Sequence, residues 1–224
     1  MSELPLLLNV IDLAKSYEDG LIKAVQGTSL VVSKAEIVAI CGPSGCGKST
    51  LLGLIGALDR PTSGKILVEG RDLEDLGPKH RFRAQTIGMV FQFHHLLPTM
   101  TLLENVETPL VALGTPKKAR RERAMALLER VGLAHRAKFF PNRVSGGERQ
   151  RAAVARAVIH RPRLLLADEP TGNLDSLTGD FIFKLLLAET RQTGAAAIIA
   201  THNSDLAARC DRRLIMKDGR IVDS

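Results

Sequence analysis

The stretch Gly42-Pro43-Ser44-Gly45-Cys46-Gly47-Lys48-Ser49-Thr50 lies between two apolar segments in the first quarter of the chain. It fits the pattern G-x-x-x-x-G-K-[ST], which is typical of a phosphate-binding loop. The preceding Glu36-Ile37-Val38-Ala39-Ile40-Cys41 is apolar and β-branched enough for a buried strand, and the following Leu51-Leu52-Gly53-Leu54-Ile55 suits a buried helix. Because strand, glycine loop and helix follow in this order, the stretch predicts an α/β fold with a phosphate loop.

The residue types in this loop suit a triphosphate. Glycines let the backbone curl so that successive N–H groups point at one anion. The start of the following helix adds a positive dipole end, worth roughly 0.3–1 kcal/mol per charge at a surface. We expect Lys48 to reach the β- and γ-phosphates and the Ser49 hydroxyl to bind Mg²⁺. Because the helix start and Lys48 both favour a thiolate, we also expect ready alkylation of Cys46.

A second chemical feature is an apolar strand that ends in two carboxylates. Leu164-Leu165-Leu166-Ala167 has the pattern of a buried strand, and Asp168-Glu169 follows it directly. Negative charge at the end of a buried strand is costly unless it meets a cation. We therefore expect Asp168 to hold Mg²⁺, directly or through water. Glu169 is then free to polarise a water for attack on the γ-phosphate, and a positioned base contributes typically ~10²–10⁴-fold to a rate.

A third feature is the start of a helical segment that runs to about residue 160. It reads Val144-Ser145-Gly146-Gly147-Glu148-Arg149-Gln150. Ser145 is a suitable N-cap and Glu148 lies three residues later, as in a capping box. Two consecutive glycines exceed what a cap needs, and they let backbone N–H groups approach an anion closely. These residues alone leave open a plain helix start and an anion-binding one.

Length and composition fit one α/β domain with a sizeable core. The chain has 224 residues, of which 45% are apolar and 25% charged. No apolar run reaches the ~18–20 residues that span a bilayer, and Met1 to Pro5 lack the basic region of a signal peptide. The net charge of +7 would suit nucleic acid or an anionic membrane, but aromatic residues make up only 4%, so we favour a solvated basic surface. The three cysteines lack C-x-x-C spacing and indicate a reducing compartment.

The order of predicted elements places a helical segment inside the α/β pattern. Strand-like runs dominate up to Phe91, and a helical pattern extends from Thr101 to His160. After Pro162, strands and helices alternate again, and the last two strands flank a Lys217-Asp218-Gly219 turn. This order predicts one α/β domain with a helical insertion.

At this point the chain resembles the nucleotide-binding subunits of ATP-binding-cassette (ABC) transporters over essentially its whole length. The phosphate loop, Ser145-Gly146-Gly147-Glu148 and Asp168-Glu169 occur in the family's order and spacing. Val144 stands where leucine is usual and Glu148 where glutamine is usual, the latter a variant familiar in one branch. The resemblance implies a P-loop ABC ATPase, with ATP and Mg²⁺ as cofactors. It implies one domain over residues 1–224, with a mixed-sheet catalytic core (1–92 and 163–224) and an inserted α-helical subdomain (93–162).

The resemblance also assigns site residues that chemistry alone does not. Tyr17 resembles an aromatic residue that stacks on adenine, and Gln92 resembles a glutamine that senses Mg²⁺ and the γ-phosphate. His202 resembles a switch histidine on the γ-phosphate, and Asn173-Leu174-Asp175 resembles a loop that crosses a dimer interface. Such subunits form head-to-tail dimers, which would place ATP between residues 42–50 of one copy and the Ser-Gly-Gly-Glu stretch of the other. The implied catalytic residues are Lys48, Gln92, Glu169 and His202; the implied nucleotide contacts are Tyr17, residues 42–50, residues 145–148 and Asp175; and the implied Mg²⁺ ligands are Ser49, Gln92 and Asp168.

A further stretch bears on the type of transporter. Phe91-Gln92-Phe93-His94-His95-Leu96-Leu97-Pro98 resembles the branch that contains lipoprotein-releasing, macrolide-exporting and cell-division ATPases, and is most similar to the lipoprotein-releasing ones. The resemblance implies a partner made of separate transmembrane permease subunits. It also implies a peripheral location on the cytoplasmic face of the cell membrane, with no nucleic acid bound.

Two alternative functions fit parts of the sequence. A nucleic-acid-handling ATPase of the same fold would account for the basic charge, but such proteins usually carry a coiled-coil or zinc insertion, or two cassettes in one chain. A non-hydrolysing regulatory subunit would require a degraded site, whereas Lys48, Asp168, Glu169 and His202 are all present. We therefore expect a transport ATPase.

Overall fold

The computed structural model describes residues 5–223; residues 1–4 and 224, which the predicted domain includes, lie outside this range. The strands are β1 Leu6–Tyr17, β2 Ile22–Ser33, β3 Ile37–Cys41, β4 Ser63–Val68, β5 Arg71–Asp72, β6 Ile87–Val90, β7 Leu164–Asp168, β8 Ala196–Thr201, β9 Arg212–Lys217 and β10 Arg220–Asp223. The helices are α1 Lys48–Ile55, α2 Lys79–Thr86, α3 Leu102–Ala112, α4 Lys117–Arg130, α5 Gly146–Val158, α6 Ser176–Thr193 and α7 Ser204–Ala207.

The strands form two sheets. A six-stranded sheet has the order β10-β9-β3-β8-β7-β6, in which only β10 is antiparallel to its neighbour. A four-stranded antiparallel sheet has the order β2-β1-β4-β5. In the larger sheet Cys41 pairs with Thr201 and Asp168 pairs with Ala200. The residues that follow β3, β7 and β8 therefore meet at one edge, where open α/β sheets bind their ligands.

Side-chain alternation explains how the larger sheet carries a core on both faces. Val38 and Ile40 of β3 pack into a cluster with β1, β2 and α1, whereas Ile37 packs into a second cluster with α3–α6. Leu164 and Leu166 likewise join the first cluster, while the second takes the intervening Leu165. Because successive residues of a strand point to opposite faces, a continuous apolar run is what a sheet covered on both sides requires.

Three α-helices, α3 to α5, lie between β6 and β7 in the chain. Thr101 begins α3 and Ser145 begins α5, each with both hydrogen bonds of a capping box. The predicted α/β fold, with a mixed sheet and an inserted helical segment, is therefore confirmed. Among the residues that the structure describes, none of the helices is long and apolar enough to cross a bilayer.

Candidate active site

The loop between β3 and α1 is packed closely against its neighbours. Gly47 caps α1 with φ 106°, a conformation that side chains disfavour. A Cβ at Gly47 would lie 2.2 Å from the carbonyl oxygen of Ala24, and one at Gly42 would lie 2.2 Å from that of Met216. Glycine is therefore required at both ends of the loop, because the backbone of β2 and of β9 occupies the space of a side chain.

Lys48 is the first residue of α1 and is only 6% exposed. Its Nζ donates to the carbonyl oxygens of Gly42 at 2.8 Å and Pro43 at 3.0 Å, and lies 3.7 Å from Oε1 of Glu169. A buried ammonium needs such partners to offset its lost hydration. Phosphate oxygens entering the loop would offer this ammonium a stronger, charge-assisted partner than two neutral carbonyls.

Glu169 lies between Lys48 and His202. One carboxylate oxygen faces Lys48, and the other accepts from Nδ1 of His202 at 2.9 Å. Glu169 has φ 44°, an uncommon conformation for a residue with a side chain. Backbone strain of this kind clusters at active sites. The structure thus brings together three predicted catalytic residues that are far apart in the sequence.

Asp168 ends β7 and carries a buried oxygen, Oδ1, with no hydrogen-bond partner within residues 5–223. An unpartnered buried carboxylate oxygen is costly and calls for a cation or an ordered water. Mg²⁺ prefers oxygen ligands, and Ser49 lines the adjacent cleft, so these residues fit the predicted ion. Residues 5–223 contain no cluster of three His, Cys, Asp or Glu side chains able to hold a metal. Besides Gln92, which lines the same cleft, the remaining ligands would therefore have to be water or phosphate oxygens.

Gln92 follows β6 and bonds the loop that precedes α6. Its Nε2 donates to Oδ1 of Asn173 at 3.4 Å, and Nδ2 of Asn173 donates to the backbone oxygen of Gln92 at 3.3 Å. This reciprocal pair joins the predicted Mg²⁺-sensing glutamine to the predicted interface loop. The sequence places Asn173 in that loop but does not indicate its contact with Gln92.

An open cleft of 610 Å³ contains most of these groups. It is lined by Ser44, Gly45, Gly47 and residues 48–50 of the loop, together with Gln92, Glu169 and His202. Three residues at the start of β2, Ile22, Lys23 and Ala24, complete the wall. Sequence reasoning does not identify this part of the wall, because residues 22–24 carry no motif and meet the loop only where β2 packs against Gly47.

Tyr17 is not among the residues that line the cleft. It is 39% exposed, and its hydroxyl donates to Oδ2 of Asp59 at 2.9 Å. Partial burial and the Asp59 carboxylate raise the pKa of the phenol, while the charge of Lys15 acts in the opposite direction. The stacking of Tyr17 on adenine therefore stays a prediction.

The expectation that Cys46 is readily alkylated is wrong, because the residue is buried. Its side chain is 5% exposed and packs in the apolar cluster below the loop. A favourable local field does not help a reagent that cannot reach the sulfur. Burial also raises the pKa of Cys41, and raises that of Cys210 to about 11.

The Ser-Gly-Gly-Glu stretch lies in a second depression of 610 Å³. Ser145 Oγ accepts from the backbone N–H of Glu148 at 3.2 Å, and Glu148 Oε2 accepts from that of Ser145 at 2.8 Å. The other oxygen of Glu148 accepts from Nε of Arg136 at 3.2 Å. The backbone hydrogen bond from Ser145 is the main cause that lowers the pKa of Glu148.

Asp175 lines the same depression and caps α6, because its Oδ1 accepts from the N–H of Thr178 at 3.0 Å. The structure therefore brings residues 145–148 and Asp175 together. The residues that line this depression and those that line the cleft around Lys48 do not overlap. One chain thus presents two separate surfaces for the residues that the sequence predicts to contact one nucleotide.

Comparison with known proteins agrees with this geometry. Residues 25–172 match the family model described as ABC transporter. The chain is 48% identical to the lipoprotein-releasing system ATP-binding protein LolD of Shewanella frigidimarina over 95% of this chain and 91% of that protein. It is 46% identical to LolD 2 of Caulobacter vibrioides, over 99% of this chain and 98% of that protein.

Solved structures give the same result. The ATP-binding cassette MJ0796, determined as a dimer in a post-hydrolysis state with ADP and Pi, superposes with a TM-score of 0.88 at 37% identity, over 96% of this chain and 97% of that one. A further dimeric structure of MJ0796, a bacterial ABC transporter cassette, gives a TM-score of 0.89 at 38% identity, over 96% of this chain and 97% of that one. With a phosphate loop, a buried lysine and a strained glutamate in one cleft, this chain belongs to the ATP-hydrolysing, ATP-binding subunits of the ABC transporter family.

Proposed function

We propose that this chain is the ATPase of a lipoprotein-releasing transporter and works as a head-to-tail dimer. The observation that carries the proposal is the division of the predicted nucleotide contacts between two surfaces of one chain. A second copy, turned end for end, would bring residues 145–148 and Asp175 to the cleft around Lys48. The dimeric state of MJ0796 and the name of the LolD relatives support this assembly and this cargo.

The structure supports a division of roles in hydrolysis. Lys48 would exchange two loop carbonyls for the β- and γ-phosphates of ATP, and so leave Glu169. Freed from that ion pair, Glu169 would take the proton of the attacking water. His202, which now donates to Glu169, would contact the γ-phosphate. Tyr17 would stack on adenine.

Mg²⁺ belongs to the same proposal. Ser49, Asp168 and Gln92 would hold the ion, which when bound neutralises charge on the phosphate oxygens. The unpartnered Oδ1 of Asp168 supports this assignment.

The proposal also divides the chain into a catalytic core and a helical subdomain. Residues 1–92 and 163–224 would form the catalytic core, and residues 93–162 a helical subdomain that carries the Ser-Gly-Gly-Glu stretch. The second apolar cluster, shared by α3–α5 and the sheet, would transmit movement between the two parts.

The membrane partner would be separate permease subunits on the cytoplasmic face of the cell membrane. Phe93, exposed by 67%, and Leu97 lie in the stretch after Gln92 and offer apolar surface to such a partner. The nucleic-acid-handling alternative gains no support from the relatives. Affinity purification from native membranes would identify the permease, and recovery of nucleic acid in its place would contradict the proposal.

The central test is Glu169→Gln. We expect ATP binding to persist, phosphate release to fall by about 10²–10⁴-fold, and an ATP-bound dimer to accumulate in size-exclusion chromatography with light scattering. The control is Glu122→Gln, which makes the same change at an exposed position of α4. Unchanged hydrolysis by Glu169→Gln would remove the base role, and a fully active ATP-bound monomer would refute the dimer.

A further inference from the structure

Gln150 of α5 is a polar side chain enclosed between two catalytic loops. It is 1% exposed, and its Nε2 donates to the carbonyl oxygen of Pro170 at 2.7 Å and faces that of Phe91 at 3.4 Å. Pro170 directly follows Glu169, and Phe91 directly precedes Gln92. One amide group therefore joins the backbone beside the proposed base to the backbone beside the proposed Mg²⁺ ligand.

The two partners determine which way the amide points. Both are carbonyl oxygens, which only accept, so the NH₂ group must face them. The Oε1 atom then points away, and it is buried without a hydrogen-bond partner among the described residues. Gln150 thus leaves one of its own polar atoms unsatisfied while it holds both loops. Buried polar atoms are seldom left unpaired, and such exceptions call for an explanation.

The position of Gln150 on α5 adds a connection to the second depression. The helix begins at Gly146, directly after its N-cap Ser145, so Gln150 lies about one turn from the Ser-Gly-Gly start. A shift of that start would displace the amide as well, because both lie within the first two turns of one hydrogen-bonded helix. The carbonyls of Phe91 and Pro170 would follow, since these residues come one and two positions after the adjacent strands β6 and β7.

We propose that Gln150 is a positioning residue for ATP hydrolysis, which couples the start of α5 to the placement of Gln92 and Glu169. The inference rests on the proposed roles of those two residues. Contact of a nucleotide with the Ser-Gly-Gly start on one surface is transmitted through this amide to the cleft on the other. Gln150 itself touches neither nucleotide nor water in the reaction.

The test compares Gln150→Met with Asn105→Leu. Methionine keeps the length and bulk of the side chain but donates no hydrogen bond. Asn105 is a matched control because it is fully buried and donates to the carbonyls of Leu97, Met100 and Thr101, away from the cleft. We expect both variants to lower Tm, but only Gln150→Met to lower kcat, by about tenfold, with KM for ATP within about twofold.

A second variant, Gln150→Glu, covers the case in which Gln150→Met does not fold. An ionised carboxylate would be repelled by the two carbonyls, whereas a protonated one can donate to Pro170. The ratio of its kcat to that of the wild type should therefore rise as the pH falls from 8 to 6.

The outcomes separate this inference from the proposed function. Equal kcat in Gln150→Met and Asn105→Leu, or a pH-independent ratio for Gln150→Glu, would overturn the positioning role. If Glu169→Gln abolishes turnover in the same assays, the proposed function stands even when the positioning role of Gln150 is overturned. Normal turnover by Glu169→Gln would refute the proposed base role instead.

Discussion

The close packing of the phosphate loop against β2 leads to a quantitative prediction for Gly47→Ala. The substitution adds a single methyl group at a position with φ 106°, where that methyl carbon would lie 2.2 Å from the carbonyl oxygen of Ala24. Two costs follow, one from the backbone conformation and one from the contact. They can be separated, because other glycines of this chain carry the first cost without the second.

The conformational cost is set by φ alone. An alanine in the left-handed region costs roughly 1–2 kcal/mol. The same conformational cost applies to alanine at Gly20, with φ 97°, and at Gly45, with φ 79°. A Cβ at either position meets no atom within 4 Å. The contact at Gly47 involves backbone, which cannot swing aside, and overpacking of this kind typically costs about 1–3 kcal/mol. We therefore expect Gly47→Ala to lose about 2–5 kcal/mol of unfolding free energy, and Gly20→Ala only about 1–2.

Urea unfolding followed by far-ultraviolet circular dichroism would measure the stability of Gly47→Ala and Gly20→Ala, and calorimetric titration would measure their ATP binding. We expect Gly47→Ala to weaken binding by about tenfold or more, since the loop must move away from β2 and its N–H groups are displaced from the phosphates. Gly20→Ala should bind ATP normally. If Gly47→Ala and Gly20→Ala unfold at the same urea concentration, the contact with Ala24 does not constrain the loop, and the packing argument fails.

Two further predictions concern the helix starts. Ser145→Ala and Thr101→Ala each remove a capping box, so each should cost about 1 kcal/mol of unfolding free energy. Only Ser145→Ala should also weaken ATP-dependent dimerisation, measured by light scattering. An equal effect of both variants on dimerisation would contradict the assignment of Ser145 to the interface. The pKa values of Glu104 and Glu148 are held low chiefly by hydrogen bonds from the backbone of Thr101 and Ser145. Their stabilisation is fully present above the unfolded-state pKa of about 4.3 and is lost as the pH falls through the lowered folded-state values. Unfolding free energy should therefore fall with acidification below about pH 5. In urea titrations at several pH values, the double variant Glu104→Gln with Glu148→Gln should show a weaker dependence of unfolding free energy on pH. An unchanged dependence would show that these two carboxylates do not cause it.

The local features of this protein are encoded by residues close together in the chain. The glycine pattern of residues 42–50 determines the loop, since its backbone needs residues without side chains at particular positions. The capping box at Ser145 involves residues three apart, and the apolar run of β7 is enough to predict a strand covered on both faces. Such features depend on periodicity and on a few neighbouring groups, so they can be predicted without knowledge of the fold.

The contacts within the site depend on the tertiary structure. Glu169 meets His202 because β7 and β8 pair in one register, and Cys46 is inaccessible because the loop packs on an apolar cluster. The wall contributed by β2 and the amide of Gln150 between two catalytic loops have no counterpart in the local pattern. The physical reason is that burial and hydrogen-bond partners are set by elements far apart in the sequence, whose spatial order is determined only when the sheet and helices have packed.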